Sequence, residues 1–523
     1  MLTLLATSVG LFMIFLDATI VNVALPDIQR DFDAGEEGAQ WVVAAYSLTM
    51  GMFIMSAATF ADRRGRRLAL IGGTVLFSAA SAMCAAAPNL GFLNVGRGLQ
   101  GVGAATVNVA SLALVSAAFP DPKAKARAIG IWTGIASVGL ALGPTVGGVL
   151  TESLGWRSIF LVNVGIGLLG IVLVVCFVDE SRDPTPRSID LPGQLLFIVA
   201  VGTLTYALIE GPHRGWSSSI ILGCFAVAVV TGITFVVAEL RSHDPMMDVR
   251  VFGDRVYTVA IVSLFAVMFS VYGLLLVITQ YLQNVQGYSP ETTGAIMLAF
   301  TGPTIVLAPI AGGLAARQGG RRPTLAGLTL LVVGLAVVTV GVGNPLVIVI
   351  VGLFLVGAAA GLSVAPTTNV AMASVPPERA GMASGIMSAQ RALGSTTGFA
   401  IMGSVLAAVV ASTLPASFEP YMADPPRQQV VDQVVADANP RAVTSLIGPG
   451  KPLPDDVSKS DELVDAADDA FVKGIRIAIL VGAVLSLGAL IAGYFIFPRG
   501  TKDESADEAE ATALEVEQSA SDR

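Results

Sequence analysis

About fourteen separate stretches of this chain are long and apolar enough to cross a bilayer. No other feature narrows the fold so far. A helix rising 1.5 Å per residue needs about 20 apolar residues to traverse the hydrocarbon. The stretches run at 4–25, 40–60, 68–87, 92–117, 128–150, 157–178, 192–210, 219–239, 256–282, 293–316, 324–342, 345–372, 383–411 and 473–497. Only 13% of the residues are charged, 54% are hydrophobic, and the mean hydropathy is +0.74. Soluble domains carry about 25% charged residues, so lipid must be the solvent here. The first stretch is not a cleaved signal peptide: it lacks a basic leader, carries Asp17, and ends in Ala24-Leu25-Pro26. The chain opens almost inside that stretch, which leaves a longer or differently assigned start open.

Several function classes drop out. Cys84, Cys176 and Cys224 all fall inside apolar spans and read as small buried hydrophobes. His213 and His243, the only histidines, sit in separate short loops, so no metal or haem framework is expected. Gly450-Lys451 is followed by Pro452, and no phosphate-binding loop of the ATPase type occurs. The formal charge of -9 comes mostly from two polar segments, Ser412 to Val472 and Thr501 to Arg523. It says little about the membrane body and points to no nucleic acid. No enzyme activity and no cofactor are expected.

Arginine and lysine set the orientation. Arg63, Arg64, Arg66 and Arg67 follow the second span, Lys123, Lys125 and Arg127 the fourth, and Arg317, Arg321 and Arg322 the tenth. The alternate short loops hold only Arg30, Arg157 and Arg214. Even-numbered exits are therefore cytoplasmic, and both termini lie inside. An internal repeat divides the body. Gly130, Gly139 and Gly143 recur as Gly385, Gly394 and Gly398, each 255 residues on, and Asn108-Val109-Ala110 recurs as Asn369-Val370-Ala371. Spans one to six thus match nine to fourteen.

The expected architecture is an all-α polytopic membrane protein of two pseudo-symmetric six-helix bundles plus two extra helices. The amino-terminal bundle covers 1–180, and the inserted pair with its linker 181–255. Five helices of the second bundle cover 256–411, a long outer loop 412–472, and the last helix 473–500. Within the loop, Val430, Val431, Val434 and Val435 recur at helical spacing; a short amphipathic helix over the outer mouth and a floppy insertion both fit. The acidic stretch 501–523 reads as a disordered cytoplasmic tail.

Glycine spacing marks the fifth span. Gly139, Gly143 and Gly147 recur every four residues, which aligns small side chains on one helical face where another backbone can approach. Pro144 removes one backbone hydrogen bond beside that face, and Gly148 extends the run. The whole segment Gly139-Leu140-Ala141-Leu142-Gly143-Pro144-Thr145-Val146-Gly147-Gly148 resembles the fifth-helix antiporter motif of drug:proton antiporters in the major facilitator superfamily. Leu16-Asp17-Ala18-Thr19-Ile20-Val21-Asn22-Val23-Ala24-Leu25-Pro26 is similar to the first-helix signature of the fourteen-span branch. Asp62-Arg63-Arg64-Gly65-Arg66-Arg67 resembles the loop motif between helices two and three. The pattern around Arg97, Gln100 and Gly101 is similar to the fourth-helix motif, and Trp156 to Val164 to the entry of helix six. Departures exist: Ala58, Phe60 and Gly165 replace usual residues, and Ala44 and Ala45 stand where some cation-exporting relatives carry an acid.

That resemblance implies a proton-coupled exporter working by alternating access. It implies a hinge at Gly139, Gly143, Pro144, Gly147 and Gly148, and a conformational latch at Asp62, Arg63, Gly65, Arg66 and Arg67. Those arginines also serve positive-inside topology on their own. Asp17 is the only acid deep in a span, and an intramembrane carboxylate is a functional candidate by default. Its depth, about 13 Å from the outer end, is close to the roughly 10 Å of Arg97, and the resemblance implies that helices one and four line the same central cavity, so the two can meet. Burial favours a neutral carboxyl and a nearby arginine favours the ionised one, which is the conflict a proton carrier needs. Snorkelling is the competing reading for Arg97 and for Arg391; interfacial solvation is the reading for Glu210 and Glu239.

The partners implied are small amphipathic compounds, protons and the bilayer, with the protein acting as a monomer in a bacterial cytoplasmic membrane. An exporter of one endogenous metabolite, lipid or siderophore fits the same pattern, and so does, less well, a non-transporting receptor or scaffold.

Overall fold

The computed structural model describes residues 2–119, 121–182, 190–242, 245, 247, 249–375, 380–419, 430, 431, 434 and 457–498. Among them are 14 helices long and apolar enough to cross a membrane, and no strand. They are α1 (Leu2–Phe32), α2 (Glu36–Arg64), α3 (Arg66–Ala85), α4 (Leu90–Ala118), α5 (Pro122–Leu154), α6 (Ser158–Phe177) and α7 (Leu191–Arg214). The others are α8 (Ser219–Arg241), α9 (Arg255–Gln280), α10 (Pro290–Gln318), α11 (Arg321–Gly341), α12 (Leu346–Ala373), α13 (Ala380–Phe418) and α14 (Val457–Ile496). Each expected span falls on one helix, in order.

The ends differ from the apolar pattern for visible reasons. α1 continues through Pro26 to Phe32, because a proline removes a single backbone bond and membrane helices re-satisfy what it frees. α13 runs on to Phe418 and α14 begins at Val457, so helix enters both edges of the segment assigned to the outer loop. Leu463, Ala467, Ala470 and Phe471 are buried at helical spacing, but acids between them lower the apolar signal. Val430, Val431 and Val434 are helical and buried in the main core; Val435 lies outside the described residues, as do the tail and most of the loop.

The repeat seen in the sequence is a repeat of packing. α1 packs on α5 and α6, and α9 on α13 and α14; α4 packs on α2 and α3, and α12 on α10 and α11. α7 and α8 pair with each other, and α7 rests on α2 and α13. The bundles meet along α5–α10 and α2–α13. Thr145 Oγ1 of α5 donates to the Gly294 carbonyl of α10 (3.2 Å), Gln283 Nε2, just after α9, to the Val23 carbonyl of α1 (2.9 Å), and Ser404 Oγ of α13 to the Leu208 carbonyl of the inserted α7 (2.6 Å). All lie toward the ends opposite the Asp62–Arg67 turn.

Candidate functional site

α4 begins at Asn89, whose side chain accepts the Phe92 N–H at 2.9 Å and fixes the first turn. Two turns on, Arg97 and Gln100 project into the amino-terminal bundle. Gly101 lets α4 close on α2, since a Cβ there would overlap the Thr49 hydroxyl and the Tyr46 carbonyl. Arg97 is fully buried and does not snorkel. Its Nη1 lies 2.5 Å from Asp17 Oδ2, and Asp17 is fully buried as well.

The pair is embedded in a polar set drawn from five helices. Asn163 on α6 donates to Asp17 Oδ1 at 2.7 Å, and Gln100 Nε2 reaches the same oxygen at 3.3 Å. Gln100 Nε2 also meets Ser81 Oγ on α3 at 2.8 Å, and Gln100 Oε1 accepts from Arg97 Nη1 at 2.9 Å. Arg97 Nε donates to the Val42 carbonyl on α2 at 2.9 Å, and the guanidinium lies 4.6 Å from the centroid of the Tyr46 ring. Arg97 Nη2 and Asn163 Oδ1 are buried without a hydrogen-bond partner.

Asn163 and Ser81 had no role assigned from the sequence. The available signal was an amide inside the otherwise apolar α6, since a polar group at that depth needs a partner.

The second bundle lacks the charge. Gly139 faces the Phe12 carbonyl on α1, and Gly394 faces the Phe265 carbonyl on α9. Asp17 stands five residues after Phe12, and Ser270 five after Phe265. Ser270 Oγ bonds Ser486 Oγ (2.9 Å) and the Gly482 carbonyl (3.1 Å) on α14, a neutral counterpart of the Asp17–Asn163 contact.

The glycine run sits directly behind this site. Cβ atoms at Gly139 and Gly147 would meet the Phe12 and Ile20 carbonyls at 2.6 Å, and one at Gly143 would overlap the Thr19 hydroxyl. Gly148 and the Pro144 carbonyl face the other way, toward Pro290 and Gly294 of α10. α5 is thus wedged between the helix that carries Asp17 and the opposite bundle.

The arginine-rich turn lies at the far end of α2. Gly65, with φ at +122°, is the single residue between α2 and α3, and a Cβ on it would strike the Glu180 carboxylate. Asp62 pairs with Arg66 of the same turn (Oδ1–Nη2 2.9 Å). Arg66 Nη1 donates to Ser181 Oγ at 3.3 Å, and Arg67 Nη2 to the Val175 carbonyl at 2.8 Å. Arg63 is exposed and joins none of these contacts. Glu180, which the motif did not single out, accepts the Arg67 and Leu68 backbone N–H groups at 2.9 and 3.2 Å, capping α3 from outside its own chain segment. Glu180→Ala should therefore lower stability by about 0.5–2 kcal/mol, the usual worth of a helix cap. An unchanged melting temperature in detergent would show that water replaces the carboxylate without loss.

Glu210 and Glu239 are buried, contrary to the solvated reading. Glu210 accepts from Arg214 Nε (2.6 Å) and Trp41 Nε1 (3.3 Å), and Glu239 from the Met247 N–H (2.8 Å). Arg214 lies one turn on along the same helix, while Trp41 comes from α2 and Met247 from the loop after α8, so each carboxylate has a polar lining that the apolar pattern hides. Arg391 donates to Thr368 Oγ1 of α12 at 2.7 Å.

Comparisons with known proteins bear on this arrangement. The chain is 50% identical to "Multidrug resistance protein Stp" of Mycobacterium tuberculosis, over 99% of this chain and 96% of that one. It is 41% identical to "Drug efflux pump JefA" of the same organism, over 95% and 98% of the two chains. The crystal structure of a bacterial homolog of the human lysosomal transporter Spinster, inward-facing and occupied, superposes with a TM-score of 0.60 at 18% identity, covering 96% of this chain and 97% of that one. The sequence model of the Major Facilitator Superfamily matches residues 7–398. With the twofold bundle packing, the inserted α7–α8 pair and these matches together, the chain belongs to the Major Facilitator Superfamily.

Proposed function

We propose that this protein exports small amphipathic compounds across a bacterial cytoplasmic membrane in exchange for protons, by alternating access of its two bundles. The observation that carries the reading is the fully buried Asp17–Arg97 pair, held by Gln100 of α4 and Asn163 of α6, with Asp17 on α1, the helix that α5 connects to the opposite bundle. Relatives named for multidrug resistance and drug efflux support the direction and the substrate class.

The chemistry follows from the pair. Ionised Asp17 draws Arg97 and Asn163 inward and ties α1 to α4 and α6. A proton on the carboxyl removes the Coulomb attraction, so the contact weakens and the helices are free to shift. The unpartnered Nη2 of Arg97 and Oδ1 of Asn163 offer a donor and an acceptor beside the carboxylate, polar points that a proton-carrying water would satisfy. Cross-bundle bonds gathered at the ends opposite the arginine-rich turn suit a carrier closed to the outside. With Asp17 the one carboxylate deep in a described span of the amino-terminal bundle, Ala44 on α2 and Ser270 at the matching place of the second bundle, neutral or singly charged substrates are favoured over dications.

The test is reconstitution in proteoliposomes with an imposed pH gradient and a panel of antibiotics and dyes. Substrate movement that follows the gradient and collapses with a protonophore is the expected result. Movement that ignores the gradient would overturn proton coupling while leaving export standing.

The same assay addresses the latch. Asp62 and Arg66 are one-third and one-fifth exposed, and pairs of that kind contribute roughly 0–1 kcal/mol to stability. Asp62→Asn should therefore insert and fold normally yet slow transport severalfold. Wild-type transport by well-expressed Asp62→Asn protein would reduce the turn to a topology signal.

A further inference from the structure

Pro144 has no N–H, so the carbonyl of Leu140, one turn earlier on α5, loses its helical donor. It is not left bare. Thr19 on α1 donates its hydroxyl to the Leu140 carbonyl at 2.8 Å. Thr19 is fully buried, and Gly143 makes the contact possible, since a Cβ there would occupy the hydroxyl's place. The same hydroxyl lies 3.4 Å from the Leu16 carbonyl of its own helix. It therefore has a second acceptor within reach and can release α5 without becoming an unsatisfied buried group.

The position gives this bond its meaning. Thr19 is two residues beyond Asp17 on one helix, and Leu140 is four residues before the proline on the other. From Pro144 to Gly148, α5 turns its opposite side to α10, with Thr145 Oγ1 bonded to the Gly294 carbonyl at 3.2 Å. A continuous path of contact thus runs from the buried carboxylate through one hydroxyl to the seam between bundles.

We infer that Thr19 is a positioning residue that clamps α1 to α5, so that a change of charge at Asp17 is delivered to the α5–α10 seam. The inference rests on the reading of Asp17 as proton carrier. With the clamp made, α1 and α5 move together and the bundle contact responds to the proton. With it absent, α1 shifts against the smooth glycine face of α5 and the seam no longer follows.

The experiment compares wild type, Thr19→Val and Thr19→Ser in proteoliposomes, with the panel compound the wild type moves best. Two rates are measured for each: efflux driven by an imposed pH gradient, and substrate exchange with no gradient. Thr19→Val should lose roughly tenfold in gradient-driven efflux, the factor a single buried hydrogen bond can supply, while exchange stays within about twofold. Thr19→Ser, which keeps the hydroxyl, should retain both. If Thr19→Val does not insert, Thr19→Cys, a weak donor of similar size, takes its place with the same expected split. Loss of both rates in equal proportion would mean that the hydroxyl merely stabilises the fold, and no loss would mean that the bond is idle; either overturns the clamp. A wild type that exchanges substrate but ignores the gradient removes the reading of Asp17 itself, and that outcome is visible before any Thr19 variant is compared.

Discussion

Asp17→Asn should bring pH-gradient-driven efflux down to the level of protein-free vesicles. The substitution keeps the shape and polarity of the side chain but removes the one group able to bind and release a proton at that depth. It also strands Arg97. A buried cation whose partner is removed costs about 3–5 kcal/mol, so part of any loss would come from poorer folding. The neutral double variant Asp17→Asn/Arg97→Gln separates the two effects. It holds amides in both positions and leaves no bare charge, so its melting temperature should lie closer to wild type than that of Asp17→Asn. Its gradient-driven efflux should remain absent. Restored uphill transport in the double variant, with protons as the only energy source, would show that the carrier lies elsewhere.

Asp17 and Arg97 were legible because charge is so costly in hydrocarbon that two opposite charges at matching depth on separate spans imply each other. The glycine face of α5 was legible for a related reason: small residues every four positions mean backbone contact in lipid, and the contact is there, with α1. What the sequence held back depends on which distant segments pack together. Asn163 is 146 residues from Asp17 in the chain, and Glu180 is more than 110 from the α3 N–H groups it caps. Neither pairing has a local periodicity to announce it. Glu210 and Glu239 read as solvated for the same reason, since Trp41 and the backbone of Met247 reach them only after folding. Pro144 announced a missing bond, but not that Thr19 would fill it.

The other large effect is expected at Gly143. In Gly143→Leu a bulky side chain would start from a point that overlaps Thr19 Oγ1 and lies 2.9 Å from the Ile20 backbone nitrogen. No rotamer change can move the Cβ itself, so α1 and α5 must separate, and overpacking of that kind costs typically 1–3 kcal/mol. The two helices carry the buried carboxylate and the bundle seam respectively, so the separation falls where the cycle is most sensitive. Most of the helical body is untouched by it, and insertion should survive. Gradient-driven efflux should fall by on the order of a hundredfold, since every 1.4 kcal/mol is a factor of ten in a population. Gly143→Ala sets the scale: its lone methyl carries the same overlap with less bulk and should be impaired to an intermediate degree. Efflux from well-inserted Gly143→Leu protein at the wild-type rate would mean that α1 and α5 need not touch during transport, and the glycine face would then be packing with no part in the cycle.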